Sequence, residues 1–299
     1  MERMTSLTQA TFVSIVIPTY NRPQQLTACL HACARLDYPR DRFEVIVVDD
    51  GGATPLDGVV AQFHGRLTLR LLRQVNKGPS AARNRGAAEA RGDILAFTDD
   101  DCLPTEAWLQ ALAAKCAAAP GCAVGGRTLN ALPHNPYSTA SQLLASYVLT
   151  YYNAAPESAR FFPSNNLAFP TDRFRAIGGF DETFLAAEDR ELCDRWLHLG
   201  YRLVCVEEAV AYHAHTLNLR TFLRQHLQYG QGAFHFHVLR AHRGQHRIKV
   251  EPAAFYFNML RYPFETVPPV KAARLAVLIG LSQVASAAGL FREQARQRS

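Results

Sequence analysis

The stretch ILAFTDDDCLP, residues 94–104, places three adjacent carboxylates directly after an apolar run. The apolar residues predict a buried strand, and Asp99, Asp100 and Asp101 follow at its carboxyl end. Alternate residues of an extended chain face the same way, so Asp99 and Asp101 are expected to point together. Paired carboxylates are a usual way to hold Mg²⁺ or Mn²⁺. The alternative is a turn that caps a helix beginning at Pro104.

Three similar apolar runs precede this stretch. Residues 13–18, 43–48 and 67–72 predict buried strands, and the apolar spacing between them predicts helices, one over residues 22–35 and one beginning at Pro79. Apolar strands that alternate with helices predict an α/β fold whose mostly parallel central sheet is flanked by helices. Ligands of such sheets bind at the carboxyl ends of the strands, so the polar residues there are expected to meet in one crevice.

Two further polar segments fit this crevice. Asp49-Asp50-Gly51-Gly52 ends the second strand, where glycine lets the backbone approach a ligand and a carboxylate can accept hydrogen bonds. The segment NKGPSAARNRG, residues 76–86, begins a helix and carries Lys77 and Arg83, a combination that favours phosphate. The alternatives are a simple β-turn and a solvated basic helix.

The second half of the chain predicts helices over residues 141–153, 188–200 and 221–243. The last of these is a long, basic, aromatic helix, and breaks at Gly230 and Gly232 are an open alternative to a continuous one. Glu188-Asp189 begins its helix either as an acid–base pair or as charge that complements the helix dipole. His213 and His215 are predicted to share one face of a strand.

Four segments occur in order and together resemble a family 2 glycosyltransferase with the GT-A fold over roughly residues 12–230. The resemblance implies a GT-A domain over residues 1–218, with a nucleotide-binding half at about 12–102 and an acceptor half at about 103–218. A basic, helical, membrane-associated region would then occupy residues 219–299. The segments are VSIVIPTYNRP, VIVVDDGG, NKGPSAARNRGAAEARGDILAFTDDDC and GGFDETFLAAEDRELCDRW.

The resemblance also implies roles for individual residues. Asp189 would be the catalytic base, with Glu188 beside it, and Asp99 and Asp101 would hold Mn²⁺ or Mg²⁺, with His213 or His215 as a further contact. Asp50 would bond the nucleotide base. The residues expected around the nucleotide are Pro18, Tyr20, Asn21, Arg22, Asp50, Gly51, Lys77, Arg83 and Asp100.

Charge is distributed unevenly along the chain, whose net charge is +6. Residues 219–299 contain 12 Lys/Arg and 3 Asp/Glu, a balance of +9, so the first 218 residues carry −3. A basic tail favours an anionic partner, and a membrane surface is preferred here over nucleic acid. The apolar segment 275–291 is short for a bilayer span and predicts an amphipathic or re-entrant helix at the membrane, with a docked terminal helix as the alternative.

The seven cysteines are odd in number and show no paired CxxC spacing. This pattern argues against a disulfide framework or a zinc site and favours the reducing cytosol. Together with the basic tail, it predicts a protein at the cytoplasmic face of the membrane. The segment MERMTSLTQATF, residues 1–12, lacks the apolar core of a signal peptide.

Together these observations predict a metal-dependent, inverting glycosyltransferase. Its donor would be a nucleoside-diphosphate sugar, with a UDP-sugar as the first choice, and its acceptor a hydroxyl of a lipid-linked or cell-surface saccharide. A nucleotidyltransferase is one alternative, but it would carry a glycine-rich loop after the first strand, and PTYNRP, residues 18–23, has no glycine. A non-catalytic protein that binds sugar nucleotides is the other.

Overall fold

The computed structural model describes residues 10–244 and 251–297, so most of the segment without a signal-peptide core lies outside the described residues. The strands are β1 Val13–Thr19, β2 Phe43–Asp49, β3 Leu69–Arg73, β4 Ile94–Phe97, β5 Cys102–Pro104, β6 Ala123–Asn130, β7 Leu167–Pro170 and β8 Leu203–His213. The helices are α1 Pro23–Cys33, α2 Asp57–Ala61, α3 Pro79–Glu89, α4 Trp108–Ala118, α5 Pro136–Tyr152, α6 Thr171–Ala176, α7 Glu188–His198, α8 Leu219–His242, α9 Ala253–Arg261, α10 Pro263–Thr266 and α11 Pro269–Arg296.

The eight strands form one sheet in the order β3-β2-β1-β4-β7-β6-β8-β5. The first four strands are mutually parallel, whereas β7 runs antiparallel to both of its neighbours. The four strands expected from the apolar runs are confirmed, and they form the parallel half of the sheet. Their carboxyl ends therefore lie at one edge, as parallel pairing requires.

Alternation along β1 assigns its side chains to the two faces of the sheet. Ile15 and Ile17 pack with α1 and α4 on one face, and Val16 packs with α3 and α7 on the other. Successive strand residues point to opposite faces, so a sheet covered on both faces requires apolar residues at every position. The uninterrupted apolar runs are explained by this two-sided burial.

One local prediction is wrong, and one open alternative is decided. Pro104 does not begin a helix: it ends β5 at the edge of the sheet, where proline is tolerated, and the next helix begins at Trp108. Helix α8 is continuous through Gly230 and Gly232. A Cβ atom at Gly230 would collide with the backbone of Ser286 on α11, so this glycine permits close helix packing.

Helix α11 lies along α8 and presents two apolar faces. Leu275 and Ile279 are buried in a cluster with Phe222 of α8. In the described part of the chain, α11 is the one helix whose length and composition would allow it to cross a membrane, and only 22% of its apolar window is buried. Docking on α8 therefore accounts for one face of α11, and an amphipathic helix at a membrane stays a prediction for the other.

Candidate active site

A cavity of about 600 Å³ opens where β1, β2 and β4 end, and we call it the charged cleft. Its size lies within the usual range for small-molecule sites. The crevice expected from the parallel sheet is therefore present, and strand ends far apart in sequence meet in it. Residues that line it include Pro18, Thr19, Tyr20, Arg22, Asp50, Gly78, Arg83, Asp99, Asp100, Asp101, His213, His215, Gln225 and Tyr229.

Asp100 is held at the floor of the cleft by two donors. The Thr19 hydroxyl donates to its Oδ2 at 2.7 Å, and Arg22 Nη1 approaches its Oδ1 at 3.2 Å. Burial raises the pKa of Asp100 to about 6 despite these contacts. Its neighbours fix Asp100 in place, which suits a positioning role better than direct coordination.

Asp101 faces a guanidinium and an imidazole. Arg22 Nη1 lies 3.1 Å from Oδ2, and His213 Nε2 lies 3.2 Å from Oδ1. Burial opposes ionisation, but the His213 hydrogen bond and the charges of His213 and Arg22 outweigh it and lower the pKa of Asp101 to about 2. The same contact raises the pKa of His213 against the effect of burial. An ionised carboxylate therefore lies beside an imidazole at the mouth of the cleft.

The side chains at this position fit a divalent cation. Ligand atoms of Asp101, Cys102 and His213 lie within 4.8 Å of one another. Burial raises the pKa of Cys102 well above its usual range, so its thiol stays protonated and is a poor ligand. The remaining carboxylate and imidazole suit Mn²⁺, and Mg²⁺ is compatible with the carboxylate.

Asp99 and Asp101 have different partners, although both line the charged cleft. Oδ1 of Asp99 accepts a hydrogen bond from Arg83 Nη2 at 2.7 Å, and Arg83 Nη1 donates to Glu188 Oε1 at 3.0 Å. Arg83 is 4% exposed, and its two carboxylate partners raise its pKa although burial opposes the charge. The guanidinium thus connects the acidic triplet to the start of α7.

Asp50 organises the loop that closes the cleft. Its carboxylate accepts hydrogen bonds from the backbone N–H groups of Lys77 and Gly78 at 2.9 and 2.8 Å. Gly51 has φ 78°, and a Cβ there would lie 2.7 Å from the backbone nitrogen of Asn76, so its close approach is to this loop. Asn21 accepts a hydrogen bond from the Ala53 N–H at 2.7 Å. Asn21, Gly51 and Lys77 support the rim and are not part of the lining described for the cleft.

A second cavity, of about 430 Å³, adjoins the charged cleft, and we call it the helix-walled cavity. Side chains from α5, α8 and the start of α7 line it, and Arg83, Asp99, His213, His215, Gln225 and Tyr229 line both cavities. The two spaces therefore meet at the residues that link the acidic triplet to α7.

Asp189 lines the helix-walled cavity beside Glu188. Desolvation, together with the negative charge of Glu188, raises the pKa of Asp189 to about 7, and Arg83 opposes this only in part. Its Oδ1 accepts a hydrogen bond from the Arg190 N–H at 2.7 Å. Since Glu188 is paired with Arg83, Asp189 is the member of the pair whose chemistry is suited to exchanging a proton near neutral pH.

His215 lies two residues beyond the end of β8, and its ring stacks on His213 with centroids 4.0 Å apart. Burial and the neighbouring His213 lower the pKa of His215 to about 4, so the ring is neutral. Sequence reasoning missed Gln225, His226 and Tyr229 of α8. The one available signal was spacing, because Gln225 and Tyr229 are four residues apart on one helical face and Gln225 Nε2 donates to the Tyr229 hydroxyl at 2.6 Å.

Solved structures of transferases that bind nucleotide sugars share this fold. The mannosyltransferase PcManGT from Pyrobaculum calidifontis, in complex with GDP-Man and Mn²⁺, matches with TM-score 0.67 and 22% identity, over 96% of this chain and 88% of that one. S. aureus TarS 1-349 in complex with UDP-GlcNAc matches with TM-score 0.54 and 18% identity, over 96% of this chain and 92% of that one. These likenesses confirm the predicted class of fold, the GT-A fold.

The sequence profile described as Glycosyl transferase family 2 matches residues 14–178, more than half of the chain. The chain therefore belongs to glycosyltransferase family 2, and the predicted family and enzyme class are confirmed.

Two curated relatives are similar over part of their length. The chain is 28% identical over 205 residues to glycosyltransferase AglE of Haloferax volcanii, which covers 68% of this chain and 66% of that protein. It is 32% identical over 227 residues to the pre-mycofactocin glycosyltransferase of Mycobacterium tuberculosis, which covers 74% of this chain and 46% of that protein. The chain thus spans between about half and two thirds of the length of these relatives.

Proposed function

We propose that the protein transfers a sugar from a nucleoside-diphosphate sugar to an acceptor hydroxyl in one inverting displacement. The observation that carries the proposal is the junction of two cavities, with a cation-binding set of side chains in one and a carboxyl of raised pKa in the other. A donor in the charged cleft would present its anomeric carbon toward the helix-walled cavity. Asp189 would meet an acceptor that enters from the other side.

The reaction is a single displacement at the anomeric carbon. Asp189 removes the proton of the acceptor hydroxyl while that oxygen attacks the anomeric carbon. The bond from the anomeric carbon to the diphosphate breaks, and the diphosphate leaves with the electron pair. Attack on the side opposite the leaving group inverts the anomeric configuration.

Asp101 and His213 are the proposed ligands of a divalent cation, Mn²⁺ or Mg²⁺, with Asp99 and His215 as the further candidates from the sequence. When bound, such a cation neutralises negative charge that develops on the leaving diphosphate. Arg22 and Asp100 would position the diphosphate of the nucleotide, and Asp50 would order the loop against the nucleotide base. PcManGT was solved with Mn²⁺, which supports this proposal for a chain of the same fold.

The donor is proposed to be a UDP-sugar, and GDP-mannose is the alternative donor to be tested against it. UDP-GlcNAc is bound in TarS and GDP-Man in PcManGT, so both nucleotides occur within the fold. A thermal-shift screen of nucleotide sugars with Mn²⁺ would identify the donor, since a ligand at 100 times its dissociation constant stabilises by about 2.7 kcal/mol. Transfer or hydrolysis of the sugar, with release of UDP and no pyrophosphate, is expected. Pyrophosphate release would favour a nucleotidyltransferase, and binding without turnover would favour a non-catalytic protein.

We also propose that α11 rests on an anionic membrane surface at the cytoplasmic face. Val270, Val277, Val284 and Phe291 recur every seven residues and are 81%, 64%, 67% and 64% exposed, which makes them a second apolar face. Buried Glu293 lies 3.2 Å from His235 of α8, a contact that favours a docked helix over a spanning one. Basic residues flank the apolar segment and complement anionic headgroups.

Vesicle sedimentation tests this proposal. The double variant Val277→Glu/Val284→Glu should lose binding to phosphatidylglycerol vesicles, whereas Leu199→Glu, at another exposed apolar position, should not. Removing α11 altogether is a poor test, because α8 would lose its packing partner. Equal binding by the double variant and the parent protein would refute the proposal, and loss of a dimer in the double variant would identify a second copy as the occupant.

A further inference from the structure

The helix-walled cavity has two chemically distinct sets of side chains. Helix α5 contributes the apolar side chains of Leu144, Ala145, Val148 and Leu149, with Ser141, Gln142 and Tyr152 nearer its two ends. Helix α8 contributes a polar set, Gln225, His226, Gln228 and Tyr229. A ligand that fills this space must therefore be amphipathic.

His226 is a polar residue of this cavity whose burial the fold leaves unexplained. It is 2% exposed, and its Nε2 has no hydrogen-bond partner among the described residues. Burial lowers its pKa to about 4, so the ring is neutral. Edge contacts with Phe222 and Tyr229, at centroid distances of 4.6 and 5.5 Å, hold the ring in place. Buried polar atoms without a partner are rare in folded proteins and point to an absent one.

His215 also lines both cavities, but it is a candidate metal ligand, so His226 is the imidazole available to an acceptor. A neutral imidazole donates from one nitrogen and accepts at the other, which matches hydroxyl groups, since a hydroxyl also does both. An anionic ligand would instead call for an arginine free to pair with it. Of the arginines that line the cavity, Arg83 is paired with Asp99 and Glu188, and the guanidinium of Arg190 packs on the rings of Tyr152 and Phe236.

We infer that the helix-walled cavity binds a neutral pyranoside whose anomeric substituent is apolar. A hydroxyl of its ring bonds His226, and its apolar substituent packs on Leu144, Val148 and Leu149 of α5. This inference rests on the proposed function, because it names the class of acceptor for the same site. His226 is then a residue that determines acceptor specificity and does not take part in proton transfer.

Saturation-transfer NMR measures the binding directly. Octyl β-glucoside, with its galacto and manno counterparts, is compared with the matching methyl glycosides, with and without UDP and Mn²⁺. We expect saturation of at least one octyl glycoside to exceed that of its methyl counterpart severalfold. His226→Leu should reduce saturation of the sugar-ring protons severalfold, and His226→Asn, which still donates and accepts, should retain more of it. Val148→Gln should remove the preference for octyl.

The controls separate this inference from loss of fold and from failure of the proposed function. His64→Ala changes an exposed histidine outside both cavities and should leave all signals unchanged. Melting temperature and UDP affinity report on the fold and on the charged cleft. Failure to bind any nucleotide sugar would overturn the proposed function alone. Equal saturation by octyl and methyl glycosides, no saturation by any of them, or an unchanged signal in His226→Leu would overturn the acceptor inference.

Discussion

The charged cleft and the helix-walled cavity share a border but are built differently. The cleft is formed by loops that follow strands, and its side chains are tied to one another, as Asp101 is to Arg22 and His213. The cavity is formed by helices that come from distant parts of the chain, and it contains a buried polar atom, Nε2 of His226, without a partner among the described residues. The first is arranged before a ligand arrives, whereas the second is completed by one. Binding of donor and acceptor should therefore respond to different substitutions.

The largest effect is expected from Asp189→Asn. The amide keeps the shape of the side chain but cannot accept a proton, so turnover should fall about 10²- to 10⁴-fold. Affinity for UDP should remain near that of the parent protein, because Asp189 lines only the helix-walled cavity. Steady-state kinetics with saturating acceptor and calorimetry with UDP measure the two quantities. Full turnover by this variant would show that Asp189 is not the base, and Glu188 or Asp181 would then be the next candidate.

Asp101→Asn should affect the opposite region. Loss of this carboxylate should reduce transfer about 10²- to 10³-fold, the range for losing one group that stabilises transition-state charge. Calorimetry should also show that UDP affinity no longer depends on Mn²⁺. Asp57→Asn is the control, because Asp57 is exposed and pairs with Arg73 outside the cleft. Unchanged Mn²⁺-dependent affinity for UDP in Asp101→Asn would contradict the assignment.

The pH profile sharpens the role of Asp189. Burial and then the charge of Glu188 raise its pKa to about 7, and Arg83 opposes them, so the base is increasingly protonated as pH falls below 7. We expect kcat/KM to fall about tenfold for each pH unit below this value and to level off above it. Residual activity of Asp189→Asn should lack this inflection. A flat profile between pH 5 and pH 8 in the parent enzyme would argue against Asp189 as the base.

A smaller effect, a moderate loss of stability, is expected from a substitution at the contact between α8 and α11. A Cβ at Gly289 would collide with the carbonyl oxygen of Leu227, so Gly289→Ala should push the two helices apart. Overpacking of this kind costs about 1–3 kcal/mol of unfolding free energy. The Michaelis constant for acceptor should rise while UDP affinity is preserved. Gly280→Ala on the same helix is the matched control, because its nearest neighbour would be Leu260 at 3.9 Å. Equal melting temperatures for the two variants would contradict this account.

The same contrast explains how much could be predicted from the sequence. Strands β1 to β4 and their polar ends are local patterns, and parallel pairing alone brings Asp50 and Asp99–Asp101 to one edge. Proline restricts φ equally in a helix start and in an edge strand, so Pro104 could not be assigned from local sequence. Gly230 resembles a helix break until α11 is seen against it. Gln225 and His226 could not be assigned, because their place depends on how α8 docks.

The position of Arg22 predicts that the affinity for a divalent cation depends on whether a nucleotide is bound. Its guanidinium bridges Asp100 and Asp101 at 3.2 and 3.1 Å, so a divalent cation bound to Asp101 would compete with it for this carboxylate. A guanidinium whose pairing is weakened in this way would be stabilised by an anion, and the phosphates of a nucleotide supply one. Cation and nucleotide would therefore show positive coupling, and thermodynamic reciprocity requires each to strengthen the other by the same factor. Titration with Mn²⁺ alone should understate the affinity that the enzyme has for Mn²⁺ when the nucleotide is present.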